Sequence, residues 1–279
     1  MTDARGLLRA AEARLAAGGV ASPRHDATAL LAFVTGVQRA MVEAVDVTPQ
    51  QAASFEALIE RRAAREPLQH LTGVAYFRYV ELEVGPGVFV PRPETELLAG
   101  WAIEAASQIE APVVVDLCTG SGAIAKSIAH EIPTAVVYAV ELDEGALVWA
   151  ERNLAHTGVR LSQGDLATAL PELDGTVDVL VCNPPYIPLE AWESVALEAR
   201  DHDPHLALFS GQDGLDAMRA LEATARRLLK PGGVVGAEHA DAQGASAPAV
   251  FAATGNWTDV RDHPDFNERP RFLTARLAR

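Results

Sequence analysis

The tetrapeptide Asn183-Pro184-Pro185-Tyr186 follows an apolar run, Val177–Cys182, that reads as a buried strand. Its two prolines fix φ and remove two backbone donors, so the carbonyls around them can only accept. Asn183 adds a side-chain carbonyl. Two convergent acceptors hold a planar NH2 group by both its hydrogens, and Tyr186 supplies a flat face for the group that bears it. The bland alternative is a proline-stiffened turn. A second segment, Asp116-Leu117-Cys118-Thr119-Gly120-Ser121-Gly122, lies between a strand pattern and a helix pattern. Glycine there lets backbone approach a ligand closely at the switch point of a sheet, although a structural turn uses the same residues. Glu141 ends the next strand pattern, about twenty residues on, where an acid accepts both hydroxyls of a ribose. Asp165 ends the following strand-like segment, Val159–Gln163, and is positioned to accept from an adenine amino group. Three acids at successive strand ends favour a nucleoside pocket. The third glycine of a dinucleotide fingerprint is missing, which tells against NAD. An acidic pocket without a nearby Lys suits a cationic ligand, and S-adenosylmethionine, a sulfonium, is one.

These residues need a scaffold, and the hydrophobic periodicity supplies it. Strand patterns at Pro112–Leu117, Ala135–Glu141 and Val177–Cys182 alternate with helix patterns at Ser121–His130 and Glu144–His156. A helix over Asp213–Lys230 then turns at Pro231-Gly232-Gly233 into a strand, Val234–Glu238. Such alternation predicts a doubly wound α/β domain, a parallel sheet with helices on both faces. The chain before it reads as helix after helix. Leu7, Leu8, Ala11 and Leu15 have helical spacing up to Gly18-Gly19. Ser22-Pro23 and Thr48-Pro49 each set a capping hydroxyl before a proline at the first helical position. Apolar stripes follow at Leu30, Leu31, Phe33 and Val34, and at Phe55, Leu58 and Ile59. From Tyr76 to Val90 the period becomes two, and Tyr79–Val84 and Val88–Val90 around Gly85-Pro86-Gly87 predict a β-hairpin.

Composition narrows the partners. The 279 residues are 49% hydrophobic and 22% charged, and carry a net charge of −15. Nine bases and ten acids lie in residues 1–85, against fourteen bases and twenty-eight acids in 86–279. That acidic half argues against direct nucleic-acid binding, which needs a basic face. It suits a cationic cofactor, or a partner whose own surface is basic. Two cysteines make no disulfide framework, so a reducing, cytoplasmic setting is expected. No secretory pattern opens the chain. The longest stretch without Asp, Glu, Lys or Arg, Ala242–Thr258, contains Gly244, Pro248 and Gly255, a poor membrane span.

Asp116–Gly122 combined with Asn183–Tyr186 resembles the S-adenosylmethionine-dependent methyltransferases that modify planar exocyclic nitrogens. Further segments, Glu66–Gly73, Phe89–Glu96, Ala207–Leu215 and Asp265–Arg271, are similar to the HemK/PrmC family of release-factor glutamine methyltransferases. Arg92-Pro93-Glu94-Thr95-Glu96 is the specific marker. The resemblance implies a Rossmann-like class I methyltransferase sheet (93–279) joined by a β-hairpin (76–92) to an N-terminal helical bundle (1–75). It implies methylation of the glutamine amide in the Gly-Gly-Gln loop of class I peptide release factors, by a monomer needing S-adenosylmethionine and no metal. Carried across by motif, Cys118, Thr119, Gly120, Ser121, Gly122, Glu141 and Asn183 would bind the cofactor, and Asp165 and Leu166 would flank its adenine. Asn183, Pro184 and Tyr186 would be catalytic. With Pro185 they would hold the substrate amide, and Arg92, Glu94 and Thr95 would close over it. Two departures stand out: Cys118 occupies a usual glycine position, and Glu238–Gln243 lacks a family glycine. Cys118 and Cys182 are expected to be neighbours, and His202, His205 and His239 to be non-catalytic. Other readings are a ribosomal-protein glutamine as substrate, an exocyclic amine of DNA or RNA, or a cofactor-binding assembly factor without catalysis.

Overall fold

The computed structural model describes residues 2–194 and 197–278. It divides into two compact units, residues 1–74 with 196–202, and residues 75–195 with 203–279. In the first, short strands β1 (Thr2–Asp3) and β2 (Asp46–Val47) pair antiparallel beside helices α1 (Ala4–Ala17), α2 (Pro23–Thr35), α3 (Pro49–Ala63) and α4 (Leu68–Thr72). Asp3 starts α1 by accepting from the backbone N–H of Arg5 and Gly6. Thr48 and Gln51 form a reciprocal capping box at α3. Ser22, predicted to cap α2, makes no such bond, so Pro23 with its preset φ opens that helix alone. The buried stripe of α2 runs through Ala27, Leu30 and Leu31 to Val34. Phe33 falls off its edge and is 53% exposed, contrary to the predicted stripe.

The second unit opens with the hairpin β3 (Val74–Phe77) and β4 (Val80–Glu83). Its turn is Arg78-Tyr79, not the predicted Gly85-Pro86-Gly87, and Val88–Val90 is not a strand. The reason lies outside the hairpin. Arg78 adopts φ 49°, its N–H bonds Glu96 at 3.1 Å, and its guanidinium grips both oxygens of Glu131 at 2.7 and 2.8 Å. Distant carboxylates therefore offset a left-handed turn residue that local propensity disfavours.

Helix α5 (Thr95–Ser107) leads into β5 (Val113–Leu117), α6 (Ala123–Glu131), β6 (Val136–Glu141), α7 (Glu144–Leu154), β7 (Arg160–Gln163) and β8 (Val177–Cys182). Short helices α8 (Leu197–His202) and α9 (His205–Leu208) precede α10 (Asp216–Leu228) and β9 (Leu229–Glu238). Then come α11 (Ser246–Ala252), β10 (Trp257–Pro264) and β11 (Pro270–Leu277). The sheet order is β10-β11-β9-β8-β5-β6-β7, parallel from β9 to β7. β10 and β11 are antiparallel additions that periodicity did not reveal. Pro231–Gly233 form an extrusion within β9, which pairs Val177 with Leu229 but Val179 with Val234.

Each face of the sheet has its own core. Val179 and Val181 of β8 join α5, α6 and α7, while Leu180 and Cys182 join α10 and α11. All six β8 residues are buried, as a central parallel strand requires. Each large aliphatic side chain so covered contributes about 1.5–3 kcal/mol. This rigid layer fixes where the loops at its carboxyl edge emerge.

Candidate active site

The order of the parallel strands reverses at β5, with β6 on one side and β8 on the other, and such a switch point leaves a crevice between the loops. Leu117 pairs with Cys182, so the loops Cys118–Gly122 and Asn183–Tyr186 leave adjacent strands at the same level. In the first loop Cys118, Gly120 and Gly122 all have positive φ, 57°, 58° and 84°. A Cβ on Gly120 would meet nothing within 4 Å, so open space lies against this backbone.

Asp116 organises the loop from below. Its Oδ2 accepts from Thr119 Oγ1 at 2.6 Å and from the Ala125 N–H at 3.1 Å. Its other oxygen, Oδ1, is buried without a partner among the described residues. Burial pushes this carboxyl up to about 7, against the two hydrogen bonds. Glu141, at the end of β6, accepts from Gly120 N–H at 2.7 Å and from the Leu142 and Asp143 N–H groups at 2.9 Å each. Burial raises its pKa too. Asp165 stands apart from this cluster of bonds. It is exposed and caps its own turn through the Ala167 N–H, while Leu166 packs half-buried on the α10 side.

The second loop is tied to residues far away in sequence. Asn183 Nδ2 donates to Thr95 Oγ1 at 3.4 Å, and Thr95 Oγ1 donates to Glu238 Oε2 at 2.7 Å. The Tyr186 hydroxyl donates to Glu238 Oε1 at 3.2 Å. Glu238 is 2% exposed, and burial pushes its carboxyl up to about 7 despite Thr95 and the positive Arg271. Burial, with Glu238 beside it, also holds Tyr186 far above the ordinary tyrosine range. Gln243 Nε2 clamps the carbonyls of Tyr186 and Asp213 at 3.1 and 3.2 Å. Ile187 and Phe209 form a parallel bridge, so the Ala207–Leu215 segment supports the loop's exit. Arg92 lies over the Phe89 ring and bonds the buried Asp203 at 2.9 Å, and its positive charge acts on Tyr186. Glu94 immediately precedes α5 and disfavours charge on Glu238.

A release factor glutamine methyltransferase from Streptomyces coelicolor is 60% identical over 267 residues, spanning 95% of either chain. The chain belongs to that family. The methyltransferase also matches the PrmC N-terminal domain family over residues 6–73 and a methyltransferase domain family over residues 114–202. A Streptomyces pristinaespiralis relative named for methylating 4-amino- and 4-methylamino-L-phenylalanine is 46% identical over 215 residues, covering 75% of this chain and 73% of its own. Among solved structures, a Thermus thermophilus 16S rRNA N2 G1207 methyltransferase superimposes with a TM-score of 0.52 at 22% identity. It covers 74% of this chain and 50% of its own, and was solved with AdoMet and guanosine. The α/β sheet is thus that of the class I methyltransferases.

Sequence reasoning about this methyltransferase left Glu238 and Gln243 without a role. Their strand-end position and their spacing were visible, but their partners lie on other loops. Cys118 follows Leu117, the strand partner of Cys182, and burial first, then Cys118, keeps the Cys182 thiol well above its usual pKa. A thiol held protonated is a poor nucleophile. His239 is fully buried and bonds Asp262 at 2.9 Å, whereas His205 packs edge-on to Trp192 and Phe209. Among the described residues no helix is long and apolar enough to cross a membrane.

Proposed function

We propose that this enzyme transfers the methyl group of S-adenosylmethionine to the side-chain amide nitrogen of the glutamine in the Gly-Gly-Gln loop of class I peptide release factors. The observation that carries the reading is the start of two loops, one open and glycine-rich, one rich in acceptors, from paired residues Leu117 and Cys182. The residues present suit the cofactor. Gly120 leaves open space, Asp116 Oδ1 is an orphaned buried acceptor, and Glu141 presents a carboxylate at the lip of the loop. Cys118 to Gly122 and Glu141 would hold it, with Asp165 and Leu166 beside the adenine. When bound, S-adenosylmethionine supplies an electrophilic methyl group on a sulfonium.

The chain's own residues do the rest. An amide nitrogen is a poor nucleophile because its lone pair is delocalised into the carbonyl. Asn183 Oδ1 and the Pro184 carbonyl accept its two hydrogens, orient the NH2 and favour pyramidalisation. Fixed carbonyl dipoles then stabilise the positive charge that grows on nitrogen. Tyr186 and Pro185 wall the amide, and Arg92, Glu94 and Thr95 line the approach from the hairpin side. Orientation alone contributes up to roughly 7–11 kcal/mol. The proton leaves to water after transfer, so no His base is needed.

The relative acting on 4-amino-L-phenylalanine favours a second substrate, a small aryl amine, because it too presents a planar NH2. The near full-length match favours the protein substrate. The deciding experiment incubates the enzyme and labelled S-adenosylmethionine with a release factor, with its Gly-Gly-Gln→Gly-Gly-Ala variant, and with 4-amino-L-phenylalanine. Label in the unaltered factor alone is expected. Label in both factors, in neither, or only in the amino acid would overturn the proposal.

A further inference from the structure

We propose that Glu238 is a positioning residue for methyl transfer: through Thr95 it sets which way the Asn183 amide points, and through Tyr186 it anchors the same loop. The inference rests on the proposed reaction and deepens it. Asn183 can serve the substrate only with its oxygen outward. Turned over, it would aim its own NH2 at the substrate NH2, donor against donor.

Nothing within Asn183-Pro184-Pro185-Tyr186 chooses between these orientations. The choice is made 88 residues earlier in the chain, at Thr95 Oγ1, 3.4 Å from Asn183 Nδ2. A hydroxyl has one hydrogen. Thr95 commits it to Glu238 Oε2 at 2.7 Å, so towards Asn183 it can only accept. Nδ2 must then face Thr95, and Oδ1 is left for the substrate. An ionised Glu238 is acceptor-only, which gives the chain of bonds from Asn183 through Thr95 to Glu238 a single polarity. Its second oxygen takes the Tyr186 hydroxyl at 3.2 Å, so both ends of the acceptor loop are referred to one buried carboxylate.

A protonated Glu238 would carry a hydrogen of its own. Donating it to Thr95 releases the Thr95 hydroxyl to donate to Asn183, and the inverted amide becomes accessible. The groups facing this carboxyl come from three segments. Thr95 and Glu94 lie at the start of α5, Tyr186 follows β8, and Arg271 lies on β11 with its charge shared with Asp265 at 3.0 Å. Arg271 favours the charged form, and burial and Glu94 oppose it, leaving the carboxyl near neutrality, at about 7. Methyl transfer should therefore weaken as pH falls through that region, and measuring cofactor affinity at each pH separates this loss from any titration of Asp116 and Glu141 in the other loop.

The test uses full-length enzyme and release factor, with kcat and KM measured from roughly pH 5.5 to 9. Cofactor affinity by calorimetry and thermal melting are measured alongside. Thr95→Val keeps the branched shape and removes the hydroxyl, and should lower kcat roughly 10–100-fold with cofactor Kd unchanged. Thr95→Ser restores the hydroxyl and should restore kcat. Glu238→Gln should lower kcat and erase its loss on the acid side. Wild-type transfer with an undiminished kcat in Thr95→Val, or an unaltered pH profile in Glu238→Gln, overturns this inference alone. So does a loss in both variants that merely tracks melting temperature and cofactor affinity. No transfer by the wild-type enzyme overturns the reaction itself, and this inference with it.

Discussion

Replacing Gly214 by Ala should damage both stability and catalysis without touching a reacting group. Gly214 has φ 76°, and an added Cβ would lie 2.3 Å from the Tyr186 carbonyl oxygen, 2.7 Å from Gln243 Nε2 and 3.0 Å from Pro188 Cδ. The left-handed backbone costs an alanine about 1 kcal/mol. Overpacking against a carbonyl costs about 1–3 kcal/mol more. The loop cannot simply retreat, because Gln243 Nε2 ties the Tyr186 and Asp213 carbonyls together, and breaking that clamp costs about 1 kcal/mol. The sum is about 3–5 kcal/mol, or roughly 10 °C in melting temperature. If the strain is instead relieved by moving the Tyr186 loop, stability is spared and kcat falls roughly 100-fold, since displacement of a positioned loop by about 1 Å has that effect. Gly255→Ala is the control. Its φ is 70° but nothing lies within 4 Å of the added Cβ, so it isolates the backbone cost. Differential scanning fluorimetry and single-turnover methyl transfer read the two outcomes. A Gly214→Ala enzyme that melts and turns over like Gly255→Ala would refute the close approach.

Further predictions concern the other loop and the acceptor pair. Asn183→Ala should lower kcat roughly 100–1,000-fold, the loss expected for one preorganised electrostatic partner, and calorimetry should find cofactor affinity largely intact, because most of the cofactor's contacts would come from the other loop. Glu141→Gln should weaken S-adenosylmethionine binding about tenfold or more, because an amide cannot accept from Gly120 on one side and from Leu142 and Asp143 on the other. Calorimetry giving an unchanged Kd would refute this. Asp116 binds its proton more tightly when folded, at about 7, than at its ordinary value of 3.8, so its contribution to stability falls as pH rises through that window. Relative to Asp116→Asn, the wild type should lose on the order of a few kcal/mol from pH 4 to 8 in urea melts. A stability difference independent of pH would show that the carboxyl is not desolvated.

Much of this protein is legible locally. The parallel strands and their helices announce themselves because apolar periodicity is written into neighbouring residues. Thr48 caps α3 with a residue three places away, and Asn183-Pro184-Pro185-Tyr186 carries its acceptors in its own covalent chemistry. Cys118 could be placed beside Cys182 from strand ends alone. Where the chemistry depends on a partner remote in sequence, local pattern fails. The hairpin turns at Arg78 because Glu96 and Glu131 hold that residue, overriding a Gly-Pro-Gly signal seven residues on. β10 and β11 escaped notice because their exposed and buried positions do not alternate cleanly. Ser22 has the right type in the right place, yet makes no capping bond. Residue type and spacing were enough to determine that this chain has a glycine-rich loop and an Asn-Pro-Pro-Tyr loop at strand ends of one α/β sheet. Tertiary structure alone decided the direction in which Asn183 faces. That direction depends on a hydrogen-bond chain through Thr95 to Glu238, residues separated by 143 positions, whose donors and acceptors acquire a common polarity only when burial brings them together.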